Sequence, residues 1–329
     1  MRAPAVAALL ILAIAGCAND DAASIPPPDG RPHGSLLVLE TRACNWLLPG
    51  DENRCDPVGL VRIGLDGELL EDLTPEAHAG PAPTPAIAMR QFALSPDRDA
   101  IAWTWNEQVW VMNLDGDAPY NLVPKLLAEN MGETATDPTW APDGSELLYR
   151  WWGANAGQTR YRVALDSGAM TEVSMPVDCM AMAWAPDGTH LACEVVKPEE
   201  EPGKFELADL FLVDLETLEA TELTDPDDAI SNHSPDWSPD GRWLALSRET
   251  HDAELTADVD GIWVLEVETN EGKLVAPGPF SLPSWSPDGG HLAAFDDDQS
   301  KLVIMGRDGS GLTTLDHEPR QFVAPRWLP

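Results

Sequence analysis

The stretch that decides the fold is "PSWSPDGGH", residues 283–291. An apolar approach ends at a Trp, a Ser follows, and Pro-Asp-Gly then precedes another apolar run. Pro presets the backbone angle at the first corner of a turn, Asp bonds the local backbone, and Gly supplies the left-handed residue that closes a tight hairpin. The stretch therefore predicts two antiparallel strands joined by a tight turn.

The same pattern occurs five times along the chain. The other copies are "QFALSPDRD" (91–99), "DPTWAPDGS" (137–145), "MAWAPDGTH" (182–190) and "PDWSPDGRW" (235–243). In chain order, the turn prolines of the five copies are 46, 44, 53 and 48 residues apart: Pro96, Pro142, Pro186, Pro239 and Pro287. Further strand-like runs follow each turn, and four antiparallel strands per roughly 45 residues are typical of a propeller blade. The first copy has Arg98 where the others have Gly, so we expect a looser turn there.

The two ends of the chain complement each other. "SLLVLET" (35–41), "GLVRIGLDGE" (59–68) and "LLEDLT" (69–74) match strands two, three and four of a blade that lacks its first strand. The C-terminal "APRWLP" (324–329) repeats "LPSWSP" (282–287) and would supply that strand, closing the ring without a free edge. The sequence thus predicts an all-β fold, a six-bladed β-propeller of four-stranded antiparallel blades over residues 34–329.

The N-terminal segment has the features of an export signal. Its apolar run, 6–15, is about half of the ~20 residues that a membrane-spanning helix needs. Residues 14–17, Ile-Ala-Gly-Cys, resemble a bacterial lipobox, so we expect a signal peptide over 1–16 and an acylated Cys17. Ordinary cleavage after Ala15 is the alternative.

The residues after Cys17 predict where the protein lies. Ala18, in place of Asp, implies the outer membrane in the Gram-negative sorting pattern that the lipobox resembles. Residues 17–33 are polar and Pro-rich, which predicts a tether of at most ~50 Å. We therefore expect a lipid-anchored outer-membrane protein that faces the periplasm or, alternatively, the cell surface.

The remaining four cysteines form two close pairs. Cys44 and Cys55 are 11 residues apart, and Cys179 and Cys193 are 14 apart. Such separations suit local disulfides in an oxidising compartment. Cys179 and Cys193 are expected on the first two strands of blade four, and Cys44–Cys55 would close a long insertion of blade one. No Cys-x-x-Cys pair occurs, which argues against a thiolate metal site.

Charge restricts the class of partner. Twenty basic residues against 56 acidic ones give a formal charge of -36. This excludes nucleic acid and adsorption to anionic lipid, both of which require a basic surface. An acidic surface adapted to salt is one explanation; a basic protein partner or a hard cation such as Ca²⁺ is the other.

The blade pattern separates two faces of the ring. We call the face that carries the Pro-Asp-Gly turns the turn face, and the opposite face, with longer and more variable connections, the loop face. Variable loops on a rigid scaffold are where binding usually occurs. The candidate binding residues are therefore taken from the loop face: Asp225, Asp227, Asp228, Asp258, Asp260, Asp296, Asp297, Trp46 and His233.

The repeats resemble the Trp-Ser-Pro-Asp-Gly propeller repeats of the TolB type, and similar repeats occur in prolyl-oligopeptidase-like enzymes. The resemblance covers nearly all of the chain after residue 33. It implies a periplasmic, protein-binding propeller. TolB proteins carry an additional N-terminal α/β domain and are soluble partners of envelope lipoproteins; we expect no such domain here, and a lipid anchor instead.

Enzymatic alternatives have weaker support in the sequence. There is no Gly-x-Ser-x-Gly hydrolase motif, P-loop or dinucleotide fingerprint. Some pectate-fragment lyases resemble this propeller and use His-bound manganese in the channel. Here only His233 is expected near the channel at the loop face, whereas His190 and His291 follow turns on the opposite face. Trp151 and Trp152 are expected to begin a loop of blade three.

The predicted function is a monomeric envelope propeller that binds an envelope protein through its acidic loop face. A metal-dependent enzyme acting on acidic saccharides is the first alternative, and a purely structural envelope protein is the second.

Overall fold

A computed structural model describes eleven segments of the chain: 25–41, 57–74, 92–105, 108–115, 119–122, 134–153, 157–197, 207–224, 230–250, 259–317 and 321–329. Their regular structure consists of twenty-four β-strands in six four-stranded antiparallel sheets arranged as a ring. Among these residues, no helix is both long enough and apolar enough to cross a membrane.

The six sheets are the blades, and the first strand of each lines the central channel. Given from the channel outward, the strands of blades one to three are β24 (Gln321–Leu328), β1 (Ser35–Thr41), β2 (Pro57–Gly64) and β3 (Leu69–Asp72); β4 (Phe92–Leu94), β5 (Ala100–Trp105), β6 (Gln108–Asn113) and β7 (Tyr120–Asn121); β8 (Thr134–Trp140), β9 (Glu146–Gly153), β10 (Gly157–Ala164) and β11 (Met170–Val173). Those of blades four to six are β12 (Cys179–Trp184), β13 (His190–Val196), β14 (Ala208–Asp214) and β15 (Ala220–Glu222); β16 (Ile230–Trp237), β17 (Trp243–Thr250), β18 (Gly261–Glu266) and β19 (Glu271–Pro277); β20 (Phe280–Trp285), β21 (His291–Asp296), β22 (Lys301–Gly306) and β23 (Thr313–Thr314).

The C-terminal strand closes the ring as the sequence predicted. β24 pairs antiparallel with β1, with Trp327 opposite Leu36 and Leu328 opposite Ser35. Trp327 is fully buried. The first blade therefore contains both ends of the propeller, so its opening requires that this pairing be broken.

The hydrophobic core lies between neighbouring blades. Leu36 and Val38 of blade one, for example, pack in one buried cluster with Phe295 and Leu302 of blade six. Strands that are covered on both faces in this way carry continuous apolar runs, which explains the composition of the repeats.

The repeated tryptophans also bond neighbouring blades together. The indole N–H groups of Trp140, Trp237 and Trp285 donate to the backbone oxygens of Ala93, Ala183 and Asp236 in the preceding blade, at 3.0, 3.0 and 3.1 Å. A buried indole N–H requires an acceptor. These three tryptophans therefore supply packing and an inter-blade hydrogen bond, whereas the Trp184 indole donates to Gly188 O in its own turn at 3.3 Å.

The turn of the first repeat is not looser than the others. Arg98 has φ 64°, and the glycines at this position in the other four turns have φ between 67° and 77°. Its N–H donates to Ser95 O at 2.9 Å, the bond that Gly144 makes to Ala141 O. The expectation of a looser turn is wrong, because Arg98 adopts the left-handed conformation that glycine adopts elsewhere, at a cost of roughly 1–2 kcal/mol.

Four channel strands share a β-bulge at a residue that precedes a proline. Asp137, Ser234, Leu282 and Ala324 all have φ between 52° and 54°, and the strand register shifts at each of these sites. A bulge re-aims side chains, and all four residues line the channel. The repeat thus shapes the channel wall as well as the turns.

Residues 25–34 lie on the propeller. Ile25 is buried in the core between blades five and six. Arg307 donates to the backbone oxygens of Pro26 and Pro27, at 2.6 and 3.2 Å, and the Trp327 indole donates to His33 O at 2.8 Å. The segment follows the turn face of blade six, so the predicted tether is attached to the propeller from Ile25 onward.

One predicted disulfide is present. Cys179 of β12 and Cys193 of β13 are bonded, with their Cα atoms 5.0 Å apart, and both are fully buried. A bulge in β12 places Met182, and not Cys179, directly opposite Cys193, so the bridge runs diagonally across the strand pair. Cys44 and Cys55 lie outside the described residues, as do Cys17 and the signal segment.

Candidate functional site

The channel widens into a cavity of about 590 Å³ that reaches the turn face. Channel strands of all six blades contribute to its wall, and the five turn prolines form its rim. Much of the wall is apolar, and its largest apolar side chains are Phe92, Trp140, Met182, Trp184 and Trp237. The cavity is therefore a concave site whose exposed wall is about half apolar and half polar, and sites of this shape hold small molecules.

Arg98, Arg326 and Asp236 are three of the five charged side chains that line this cavity, and Asp97 and Asp137 are the other two. Asp236 accepts a 2.7 Å hydrogen bond from the backbone N–H of Trp285. The Arg98 guanidinium donates to Trp327 O, and Arg326 Nη1 donates to Pro325 O at 3.0 Å. Within the part of the chain that the structure describes, neither guanidinium has a carboxylate at ion-pair distance.

Burial is the main influence on these three groups. It raises the pKa of Asp236, which the charges of Arg326 and Arg98 and the Trp285 N–H only partly counteract. It lowers the pKa of Arg98 and of Arg326, and in each case the charge of Asp236 acts in the opposite direction. These two cations and this anion therefore lie in surroundings that disfavour charge.

An ion pair lies further along the channel. Arg150 contacts the Asp137 carboxylate through Nε at 3.0 Å and Nη2 at 2.9 Å. Burial raises the pKa of Asp137, and the charge of Glu194 acts in the same direction, while Arg150 lowers it. This pair neutralises the wall between the cavity and the loop face.

His233 lies at the loop-face end of the channel between two carboxylates. Its Nδ1 is 3.1 Å from Glu194 Oε1 and its Nε2 is 3.6 Å from Glu249 Oε1. Glu194 also accepts from the Ser234 N–H at 3.0 Å. Burial lowers the pKa of His233, but the hydrogen bonds and charges of the two carboxylates outweigh it and raise the pKa to about 9. His233 is thus protonated at neutral pH and has no lone pair for a metal.

Asp297 adds to the negative charge beside His233. Burial raises its pKa to about 6 against the hydrogen bond from Ser281, and the charges of Asp296, Glu249 and Asp298 add to that rise. Part of this carboxylate is therefore protonated near neutral pH.

The other predicted loop-face residues have local roles or lie outside the described segments. Asp296 accepts from the backbone and side chain of Gln299 at 2.9 and 2.7 Å, and Asp260 accepts from the Thr250 N–H at 2.7 Å. The structure does not describe Asp225, Asp227, Asp228, Asp258 and Trp46.

No three His, Cys, Asp or Glu side chains in the described residues are grouped as a metal site would require.

One expectation about aromatic residues is wrong. Trp151 and Trp152 lie within β9 and do not begin a loop, because the β9–β10 pairing continues to Gly153 opposite Gly157. Trp152 is still half exposed.

Sequence reasoning directed attention to the loop face and missed the cavity at the turn face. The available signal was a departure from the repeat. Arg98 replaces a glycine, and Arg326 and Asp236 occupy the position before the Trp, where the other blades have Ala, Thr, Ala and Ser. Where most blades have a small neutral residue at a repeat position and one blade has a charged residue, that residue is a candidate for a function that the repeat itself does not require.

Comparison with known proteins agrees with this architecture. TolB from Acinetobacter baumannii superposes with a TM-score of 0.66 and 18% identity, covering 90% of this chain and 67% of TolB. A structure assigned as TolB from Agrobacterium tumefaciens gives 0.54 and 18%, over 73% of this chain and 91% of that one. A chain of a nidogen/laminin complex gives 0.59 and 10%, over 89% and 98%.

Similarity in sequence is more limited. An uncharacterized peptidase of Bacillus subtilis, YuxL, is 30% identical over 105 residues, which are 30% of this chain and 16% of the peptidase. The chain thus matches about one sixth of that relative's length. No protein-family model matches. Together with the six closed blades, the structural neighbours show that the chain has the TolB-type propeller fold.

Proposed function

We propose that the protein is a binding scaffold of the cell envelope, held at the outer membrane by acylated Cys17, which takes a basic protein partner on its loop face. The observation that carries the proposal is the excess of carboxylates at the loop-face end of the channel. Glu194 and Glu249 both contact the ring of His233, at 3.1 and 3.6 Å. Asp297, beside them, has its pKa raised to about 6 by burial and by neighbouring carboxylates.

The scaffold itself supports this role. Carboxylates crowded in this way repel one another, and a basic surface that approaches them relieves the repulsion. The ring keeps them in place, because they project from the ends of paired strands in blades four, five and six. A Ca²⁺ ion would also neutralise these carboxylates, so the test includes a comparison with and without calcium.

The lyase alternative receives no support from the described residues. His233 is engaged by two carboxylates, and its pKa of about 9 leaves it without a free lone pair at neutral pH. The histidines of the turn face cannot join it: His190 contacts Asp214 and lies at the other end of the ring. We therefore put forward no second function.

The test is a capture experiment with a charge-matched control. The C17S protein is immobilised and exposed to cell-envelope extract at low and moderate salt, with calcium or with a chelator. E249Q, D297N and D298N together remove three loop-face charges. D166N, E216Q and E271Q together remove three charges from exposed residues of the turn face.

We expect a partner whose capture falls at least tenfold with salt and with the loop-face triple variant, and stays unchanged with the turn-face triple. Loss of capture only in the chelator would identify calcium as the bridge. Equal capture by both triples would contradict the proposal, and no capture under any condition would favour a purely structural protein.

A further inference from the structure

We propose that the cavity at the turn face binds a small organic carboxylate with an apolar body, whose carboxylate lies between Arg98 and Arg326. This site is separate from the loop-face surface and does not depend on the function proposed above. The inference rests on the placement of charge across the channel, on hydrogen-bond donors left without acceptors, and on the apolar wall.

The charges lie on opposite sides of the channel. Arg98 belongs to blade two and Arg326 to blade one, which are adjacent in the ring, whereas Asp236 belongs to blade five, opposite blade two. Asp236 influences both guanidinium groups through its charge but is bonded to neither. The three side chains therefore face a common space and do not close it with a salt bridge.

The two arginines keep unused donors. A guanidinium has five N–H donors. Among the described residues, Arg98 donates to one backbone oxygen, that of Trp327, and Arg326 to one, that of Pro325. Burial lowers the pKa of both arginines, although each side chain remains partly exposed. An acceptor with a negative charge would satisfy the free donors and offset the desolvation.

The position of the charges favours a carboxylate on the ligand. Of the other ionisable side chains in the wall, Asp137 is paired with Arg150. Asp97 lies in the turn of Arg98, and its pKa is lowered by the 2.6 Å hydrogen bond from the Ser95 hydroxyl. Asp97 and Asp236 thus balance the two arginines in formal charge, but among the described residues neither carboxylate lies at ion-pair distance from a guanidinium of the pair. A carboxylate fits the planar fork of arginine, whereas a phosphate dianion would add more repulsion from Asp236.

The wall suits an apolar body of moderate size. The cavity volume of about 590 Å³ lies in the range of roughly 300–1,000 Å³ that is usual for small-molecule sites. Phe92 lies under the Arg326 guanidinium, 5.8 Å from ring centroid to Cζ, so the apolar wall begins directly beside the cations. An aryl or branched alkyl body would fit against this apolar part of the wall, with its carboxylate at the two arginines.

The test uses variants that differ in the cavity and not in the fold. R98G removes the guanidinium and restores the glycine of the other four turns, so it should fold at least as well as the parent. R242Q removes a positive charge from the turn face outside the cavity, where Arg242 pairs with Glu266. Binding of benzoate, 3-phenylpropionate and 4-methylpentanoate is measured by calorimetry, together with the corresponding neutral amides.

The carboxylate could belong to a free organic acid or to the C-terminus of a peptide. The same calorimetry therefore includes a tripeptide that ends in Leu, measured with a free C-terminal carboxylate and as the C-terminal amide. We expect an acid to bind at micromolar to millimolar Kd, the amides to bind at least tenfold more weakly, R98G to lose at least tenfold and R242Q to keep the parent value. Tight binding of the peptide acid alone would assign the site to a chain terminus.

The proposal is overturned by three results. These are equal affinity for acids and amides, parental affinity in a folded R98G, and no binding of any acid at 10 mM. Failure of these measurements leaves the loop-face capture unaffected, because the two sites share no residue.

Discussion

The two ends of the channel are built from the same strands but differ in charge and in construction. At the turn face, short repeated turns surround a cavity lined by two arginines and three aspartates. At the loop face, carboxylates from blades four, five and six surround the protonated His233. The repeated turns determine the structure of the turn-face end. The ends of the strands and the connections between repeats determine that of the loop-face end.

The difference shows how a repeat protein separates support from recognition. The turns are anchored by their own aspartates: Ser238 and Ser286, for instance, each donate to the Asp two residues later at 2.6 Å. Such bonds depend only on the repeat and therefore recur. Groups such as Arg98, Arg326 and His233 occur once, and they are the positions at which the two ends can acquire separate partners.

The largest expected effect is at the turn-face end. D236A would remove the anion that acts on Arg98 and Arg326 from across the channel and would leave the Trp285 N–H without its acceptor. A hydrogen bond to a charged group contributes about 1.5–3 kcal/mol, and the lost attraction to two partly buried guanidinium groups brings the expected cost to about 3 kcal/mol or more. We expect urea denaturation to show a loss of that size. D236N keeps an oxygen for the Trp285 N–H, so a loss as large in D236N would assign the effect to charge and not to the hydrogen bond.

The second largest expected loss of stability is at the loop-face end of blade four. C179A/C193A removes a covalent link between β12 and β13 across a 14-residue separation, and closing a loop of that length contributes about 3 kcal/mol in the chain-entropy description. The variant should unfold at lower urea concentration than the parent under oxidising conditions. If addition of a reductant lowers the parent's midpoint by as much, the link and not the lost side-chain volume is responsible.

The pH dependence should distinguish the two ends. The pKa of His233 rises from 6.5 to about 9 in the folded state, so its stabilisation is full below pH 6.5 and is lost as the pH rises through 9. Asp297 acts in the same direction, from 3.8 to about 6. At the turn face, bonds from the backbone and hydroxyl of Ser145 lower the pKa of Asp143; its contribution is present above pH 3.8 and is lost on acidification.

We therefore expect the free energy of unfolding to fall by about 1–3 kcal/mol between pH 6.5 and 9, and E194Q to remove most of that fall. Hydrogen exchange, corrected for its intrinsic pH dependence, should show protection lost first in β16 at high pH and first in β9, next to the Asp143 turn, below pH 4. A decline that is unchanged in E194Q would show that His233 does not cause it.

The smallest expected effect is a gain in stability. R98G places glycine where the backbone has φ 64°, which should raise the free energy of unfolding by about 1 kcal/mol. R98A loses the same guanidinium but keeps the unfavourable conformation. Thermal denaturation should therefore rank R98G above R98A; equal stability of the two variants would mean that the turn relaxes around alanine.

The sequence predicted the fold almost completely, because the information is repeated. Five copies of one turn, spaced by 44 to 53 residues, define the blades, and the partial repeat at Trp327 predicted the closing strand. The Cys179–Cys193 bridge followed from the same alignment. What a single repeat cannot reveal is a contact between distant segments, such as the burial of Ile25 between blades five and six.

The candidate sites were less accessible to sequence reasoning. The approach of Glu194 to His233 joins blades four and five through side chains 39 residues apart, and no local pattern encodes it. The cavity required knowledge of which residues face the channel, and this depends on the bulges at Asp137, Ser234, Leu282 and Ala324. A bulge shifts the strand register by one residue and so changes the face on which the following side chains lie.

The docking of residues 25–34 restricts how the ring could be presented at a membrane. Between Cys17 and Ile25 there are eight peptide steps, which extend to at most about 30 Å, and not the ~50 Å of a free tether. Because Ile25 enters at the turn face, an acyl group on Cys17 would hold that face toward the bilayer and turn the acidic loop face away from it. The cavity would then open toward the lipid surface, and the carboxylates of blades four to six toward the aqueous compartment.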